Sequence, residues 1–159
     1  SNFDLFVEQT NSKNGRFCKM ILPNDMNVLE GMLGDVLPVL KIHGSYEQPQ
    51  SIVLNKADFR ELLFHKPEYI EVLKSYFIKN TIFFYGYSFK DPDVDFILQS
   101  IMADKKGFTK KHYALLPNVG DIEAEYLLQD YNIQVISYST EDNGHLVARE
   151  FIKKIVESL

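Results

Sequence analysis

Two short segments carry the residue types that could do chemistry. The first is Lys41-Ile42-His43-Gly44-Ser45, where an apolar run ends on a histidine followed by glycine. An imidazole changes charge near neutral pH and can take a proton from a hydroxyl. The glycine lets the chain turn sharply or lets a ligand reach the backbone. The second segment is Tyr85-Gly86-Tyr87-Ser88-Phe89-Lys90-Asp91-Pro92-Asp93. There an apolar run stops at glycine, a hydroxyl follows two residues later, and Asp-Pro opens a helix. Aspartate caps a helix start, and proline sits at the first helical position without losing a hydrogen bond. The free N–H groups at such a start favour an anionic or ribose-bearing ligand. Taken alone, His43-Gly44 also reads as a plain turn, Ser88 as a turn residue and Asp91 as an N-cap only. Ser88 is not the nucleophile of a hydrolase elbow, because Gly-x-Ser-x-Gly needs glycine at position 90, which is lysine.

Other chemistries are excluded by what the chain lacks. Cys18 is the only cysteine, which removes an intrachain disulfide and every Cys-x-x-Cys zinc site. His43, His65, His112 and His145 show no metal-ligand spacing, so no metal is expected. Neither Gly-x-Gly-x-x-Gly nor a P-loop occurs among the 8 scattered glycines. The balance of 17 Lys plus Arg against 22 Asp plus Glu gives −5, which argues against a nucleic-acid face. Arg16, Arg60 and Arg149 are the only arginines, and the pairs Lys105-Lys106 and Lys110-Lys111 read as a solvated loop. No apolar run approaches ~20 residues and no basic-then-apolar leader opens the sequence, so neither a membrane partner nor export is expected. The expectation is a cytoplasmic domain.

The elements that must position these residues alternate along the chain. At 159 residues, 45% hydrophobic and 25% charged, it is long enough for one domain with its own core. Strand patterns run from Arg16 to Leu22, Val36 to Ile42, Thr81 to Tyr87, His112 to Leu116 and Ile133 to Tyr138. Continuous apolar stretches such as Val-Leu-Pro-Val-Leu suit strands buried on both faces, with Pro38 marking an edge position or a late strand start. Helical patterns run from Lys56 to Phe64, with Asn55 as N-cap and Phe59, Leu62 and Leu63 on one face, and from Tyr69 to Ile78. A third starts at Asp91-Pro92 and buries Val94, Ile97, Leu98 and Ile101; two more cover Asp121 to Asp130 and His145 to Leu159. Such alternation implies parallel strands joined by right-handed crossovers, an α/β fold in three layers. The stretch from Lys13 to Asp35 resists the scheme. Asn14-Gly15 signals a turn, Arg16 to Leu22 reads as half of a hairpin, and Pro23-Asn24-Asp25, Gly31 and Gly34 suggest a surface excursion. In open α/β sheets ligands bind beyond the carboxyl ends of the strands, which is where both chemical segments fall. His43 is expected just past a buried strand, with its side chain outside the core.

Four places in the right order resemble the sirtuin-like (silent-information-regulator-type) domain, in particular its zinc-free bacterial branch. Asn2-Phe3-Asp4 looks like the end of the family's Thr-Thr-Asn-aromatic-Asp motif, with Ser1 where a threonine would stand. His43-Gly44 matches its His-Gly motif, and Gly86-Tyr87-Ser88 with Asp91-Pro92 its Gly-aromatic-Ser-x-x-Asp-Pro motif. The strand from His112 to Leu116, ending in Pro117-Asn118, sits where the family has a late nucleotide-side strand. The resemblance implies a Rossmann-like, mostly parallel sheet with flanking helices, and NAD as the substrate. It implies cleavage of the nicotinamide–ribose bond, often by an antiphage defence effector. On this pattern His43 polarises or deprotonates a ribose hydroxyl, Asn2 orients the nicotinamide end or the attacking water, and Asp4 supports that arrangement. Gly86 and Ser88 contact the adenosine-side ribose or phosphates, with Asp91 fixing the helix start beneath them. The family's opening strand and Gly-Ala-Gly-x-Ser-type loop would precede Asn2. The expectation is therefore that residues 1–159 are one N-terminally truncated sirtuin-like domain, inactive alone. It would join other domains of a parent chain, and its open strand edge would either pair in a homo-oligomer or be covered by a loop. The alternatives are a non-catalytic nucleotide-sensing or interaction module, and an NAD-dependent protein deacetylase, against which the missing zinc-ribbon cysteines count.

Overall fold

The computed structural model describes residues 3–25, 36–105, 110–141 and 144–158. Asn2, Gly31, Gly34 and Lys106 lie outside them, so the expected surface excursion and basic pair are only partly covered; Lys110 and Lys111 are exposed. The chain forms two compact units, Ser1–Leu73 and Lys74–Leu159. Among the described residues no helix is long and apolar enough to cross a membrane.

The first unit opens with helix α1 (Phe6–Lys13), which has no buried residue. It starts where the Asp4 carboxylate accepts a hydrogen bond from the Phe6 N–H at 2.9 Å. Its sequence, Phe-Val-Glu-Gln-Thr-Asn-Ser-Lys, shows no apolar stripe, and sequence reading passes over it. Asn14-Gly15 closes this helix rather than a hairpin, the Gly15 N–H bonding Ser12 O at 3.0 Å. Strand β1 (Cys18–Ile21) instead pairs in parallel with β2 (Leu37–Leu40), Cys18 opposite Leu37 and Ile21 opposite Leu40. That corrects the hairpin expectation, since a parallel pair needs a crossover and not a tight turn. Both strands are shorter than their apolar runs, and β2 is not buried on both faces. Its Leu37 is exposed and its next three residues are half-buried, because in a ladder of two strands each has one neighbour. Pro38 accordingly sits at an edge, where its missing N–H costs no ladder bond.

Helix α2 (Lys56–His65) follows a complete capping box. Asn55 Oδ1 accepts from the N–H groups of Ala57 and Asp58, and Asp58 Oδ2 accepts from Asn55 N–H. Phe59 and Leu62 are buried as expected, while Leu63 is half-buried and Phe64 faces solvent. Helix α3 (Pro67–Lys79) begins in this unit and buries Tyr69, Ile70, Val72 and Leu73.

In the second unit β3 (Phe83–Tyr85), β4 (His112–Pro117) and β5 (Ile133–Tyr138) form a parallel sheet in that order. Helices α4 (Pro92–Lys105) and α5 (Asp121–Tyr131) make the crossovers, and α6 (Leu146–Glu157) follows β5. The stripe Val94, Ile97, Leu98 and Ile101 is fully buried, with Ala114, Leu115, Leu116, Leu127 and Ile133. Strand β3 alternates instead of being covered on both faces: Phe84 is buried between exposed Phe83 and Tyr85. The result is an α/β fold of parallel strands and flanking helices.

His112 is wholly buried, accepts a hydrogen bond at Nδ1 from the Ile82 N–H at 3.0 Å, and meets the Phe77 ring edge-on. Burial holds its pKa below the ordinary value of 6.5. The unfolded chain takes up this proton as pH falls through about 6.5 while the folded chain resists, so stability is present above that pH and lost below it. Denaturant unfolding between about pH 7.5 and about pH 5 should show this loss, and His112→Asn, which keeps an acceptor for Ile82, should flatten it.

Candidate functional site

Beyond the carboxyl ends of β3, β4 and β5 lies a cavity of about 620 Å³. Its near wall is Tyr85-Gly86-Tyr87-Ser88, its floor the ends of β4 and β5 at Leu115–Pro117 and Tyr138. The near wall is held by backbone and rings together. Gly86 has φ +65°, and Phe89 adopts φ +55°. The left-handed conformation costs a side-chain-bearing residue about 1–2 kcal/mol. An aromatic cluster offsets it: the Phe89 ring lies 4.9 Å from both Phe84 and Tyr87, edge-on to the latter. Ser88 is exposed on this loop. Asp91 Oδ1 accepts from the Asp93 N–H at 3.0 Å and caps α4 as the sequence implied. Burial first, and then the nearby Asp91 carboxylate, push the Tyr87 phenol well above its ordinary pKa, so it stays a hydrogen-bond donor.

The far wall is pinned by polar contacts between the ends of β4 and β5. Asn118, at φ +53°, donates from its side chain to Thr140 Oγ1 at 2.7 Å and accepts from the Thr140 N–H at 3.1 Å. Ser137 Oγ bonds both the N–H and the carbonyl of Val119. The Tyr138 hydroxyl lies 2.7 Å from His145 Nδ1, tying the end of β5 to the start of α6. Lys90, Glu123 and Arg149 bring charge to the rim, and none of the three is ion-paired among the described residues. The cavity can thus take a flat ring beside tyrosines and an anionic or hydroxyl-rich group beside Ser88 and the cations.

The residues singled out in the sequence fall into two groups. Gly86 and Ser88 line this cavity, while Asp91 does not line it and caps the start of α4 just after that wall. Tyr138, Glu123, His145 and Arg149 were missed. A signal existed for two of them, since His145-x-x-x-Arg149 places two basic residues one helical turn apart; Tyr138 and Glu123 carried none.

His43 and Asp4 belong to the first unit, and Asn2 lies outside the described residues. His43 is 8% exposed, so the expectation that its side chain stands outside the core is corrected. The loop after it folds back: Val53 N–H bonds His43 O at 3.1 Å and Ser45 N–H bonds Ser51 Oγ at 3.0 Å. Gly44, at φ +85°, lies so close to Ser51 that a Cβ there would stand 2.2 Å from its carbonyl oxygen. The Phe3 ring lies 6.5 Å from the His43 ring, and Phe3 O accepts from Tyr46 N–H at 3.0 Å. Asp4 does its visible work at the start of α1, where its carboxylate holds the Phe6 N–H.

Comparison with known proteins places both groups in one family. A model of the SIR2-like domain matches residues 1–136, which include every residue singled out. A protein named NAD(+) hydrolase ThsA from Bacillus cereus (strain MSX-D12) is 33% identical over 78 residues, 49% of this chain and 16% of that protein. Its namesake from Acinetobacter baumannii (strain 532279) is 24% identical over 120 residues, 75% of this chain and 24% of its own length. Another, from Cytobacillus dafuensis, is 26% identical over 143 residues, 88% of this chain and 28% of its own. The chain thus spans between 16% and 28% of the length of these curated relatives. With the His-Gly and Gly-Tyr-Ser segments both inside the matched residues and the parallel α/β fold around them, the chain belongs to the SIR2-like domain family.

Proposed function

We propose that residues 1–159 are one partial sirtuin-like domain of an NAD-hydrolysing enzyme, and that the cavity beyond β3–β5 holds the adenosine half of NAD. The observation that carries this is the cavity's place at the carboxyl ends of three parallel strands, with Gly86-Tyr87-Ser88 as one wall. The relatives' name supports NAD as the substrate. The tyrosines Tyr87 and Tyr138 suit a stacked purine, and the Ser88 hydroxyl suits a ribose hydroxyl or a phosphate oxygen.

The reaction assigned is hydrolysis at the nicotinamide-bearing ribose carbon. The C–N bond breaks with its electron pair leaving on nicotinamide, a water oxygen bonds to the carbon, and the water's proton is lost to a base. The products are nicotinamide and ADP-ribose. The ribose passes through an oxocarbenium-like state, so holding a water and a hydroxyl in place supplies most of the acceleration. His43 polarises or deprotonates the ribose hydroxyl, Asn2 orients the water or the nicotinamide, and Asp4 fixes the segment that carries Asn2. Antiphage defence through NAD depletion is the setting this reading implies.

Titration of the chain with 5′-AMP, ADP-ribose and nicotinamide mononucleotide, followed by amide NMR, tests the site. The first two should shift Gly86, Ser88 and Tyr138 saturably, and the mononucleotide should leave them unmoved. Ser88→Ala should weaken 5′-AMP about 5- to 10-fold, the loss of one hydrogen bond. Unmoved cavity resonances at millimolar 5′-AMP overturn the assignment.

A further inference from the structure

We propose that Lys41 is a positioning residue whose buried ammonium clamps the Phe3–Asp4 segment, and the start of α1, against the His43 end of β2. Lys41 is 4% exposed, a rare state for a lysine. Its Nζ lies 2.9 Å from Glu8 Oε1 on α1 and donates to the carbonyl oxygen of Asp4. Both Glu8 carboxylate oxygens are closed off from solvent and accept no aligned hydrogen bond, so the Lys41 ammonium is what balances their charge. Two further contacts converge on the same segment: Phe3 O accepts from Tyr46 N–H at 3.0 Å and from Ser45 Oγ at 3.4 Å.

Burying an ammonium and a carboxylate is expensive, and an apolar pair would usually hold two elements together as well. Here no apolar contact can do so from the helix side, because α1 buries none of its residues. The polar clamp therefore fixes where α1 begins, and with it the segment whose Phe3 ring faces the His43 ring. Lysine is the residue type for such a clamp, since a point charge on a flexible stem reaches a carboxylate and a carbonyl that no planar fork would meet together. Only Ile42 separates Lys41 from His43 along the chain, so one strand end supplies both the acid–base group and the group that positions its neighbour. The catalytic consequence rests on the reading of His43 above; the clamp does not.

Lys41→Met and the double variant Lys41→Met/Glu8→Met test it in the 159-residue chain. The readouts are thermal stability, hydrogen exchange at the Tyr46 amide, and the His43 ring resonances. The single variant leaves the Glu8 carboxylate buried without its counter-ion and should lose stability. The double variant should regain that stability, yet still exchange at Tyr46 at least about tenfold faster, with His43 shifted and the β3–β5 amides unchanged. In an NAD-cleavage assay on the longer protein that carries this domain, the double variant should lower kcat and leave the KM for NAD as it was. Tyr46 protection and His43 resonances that stay as in the parent would reduce Lys41 to an ordinary ion pair and overturn the proposal. If the Met variants do not fold, the unaltered chain decides. A clamped Lys41 ammonium gives a slowly exchanging NMR signal with a cross-peak to the Asp4 backbone, and a freely exchanging one overturns the clamp. Failure of the longer protein that carries this domain to release nicotinamide would instead sink the hydrolase reading, leaving the exchange result to judge the clamp.

Discussion

Gly44→Ala should destabilise the first unit by about 2–5 kcal/mol, the sum of backbone strain and a clash with a neighbour that has little room to withdraw. The backbone at position 44 has φ +85°, where a side chain costs about 1–2 kcal/mol. The added Cβ would also stand 2.2 Å from Ser51 O, 2.5 Å from Ser51 C and 2.8 Å from Ser51 Oγ. Ser51 has little freedom to withdraw. Its N–H and its hydroxyl both donate to Gln48 O, at 2.8 and 2.7 Å, and its Oγ accepts from Ser45 N–H. Forcing a methyl into such a site costs typically about 1–3 kcal/mol more. Gly15→Ala is the control: at φ +71° it carries the strain, but no atom lies within 4 Å of its Cβ. Urea unfolding should separate the two by at least about 1–2 kcal/mol. Equal midpoints would mean that Gly44 is retained for its backbone angle alone.

The two glycine motifs thus do different physical work, although the sequence presents both as a glycine after a strand. A Cβ at Gly86 would meet nothing within 4 Å, so this glycine leaves open space beside a cavity. Gly44 is filled from behind by Ser51. Sequence alone could not tell open space from close packing, because the neighbour that decides comes from a separate turn.

The same distinction runs through the rest of the fold. Local signals were reliable where the cause was local. The Asn55 capping box, the Asp91-Pro92 helix start and the stripe Val94, Ile97, Leu98, Ile101 all depend on residues close together along one helix. Where the cause lay elsewhere in the chain, the pattern was silent or misleading. Helix α1 has no apolar face and is held by Lys41 and Asp4. Strand β1 finds a parallel partner rather than a hairpin mate. Leu37 and Phe83 belong to apolar runs that read as doubly covered, yet both are exposed. At the cavity the rule about strand ends found the β3 segment, because glycine and serine announce a turn. Tyr138 went unnoticed because a tyrosine ending a strand announces nothing until β5 is seen beside β4.

The largest functional effect should come from His43. Its replacement by alanine in the NAD-cleaving protein should lower kcat about 10²- to 10⁴-fold while the KM for NAD changes little. A positioned acid–base group acts on the barrier, whereas the adenosine half of the substrate supplies the binding. Ser88→Ala should do the reverse, raising KM and sparing turnover at saturation. The burial of His43 changes how this test must be run. At 8% exposure its loss opens a space inside the fold, and a cost of about 1–3 kcal/mol is expected rather than the near-neutral change of a surface site. With a total stability of about 5–15 kcal/mol the variant stays folded at moderate temperature, so melting and kcat must be measured together. His43→Gln, which keeps most of the volume, should recover part of the stability and none of the rate. If His43→Gln turns over NAD as fast as the parent, the imidazole does no proton chemistry, and His43 is only the buried end of β2 on which Gly44 turns.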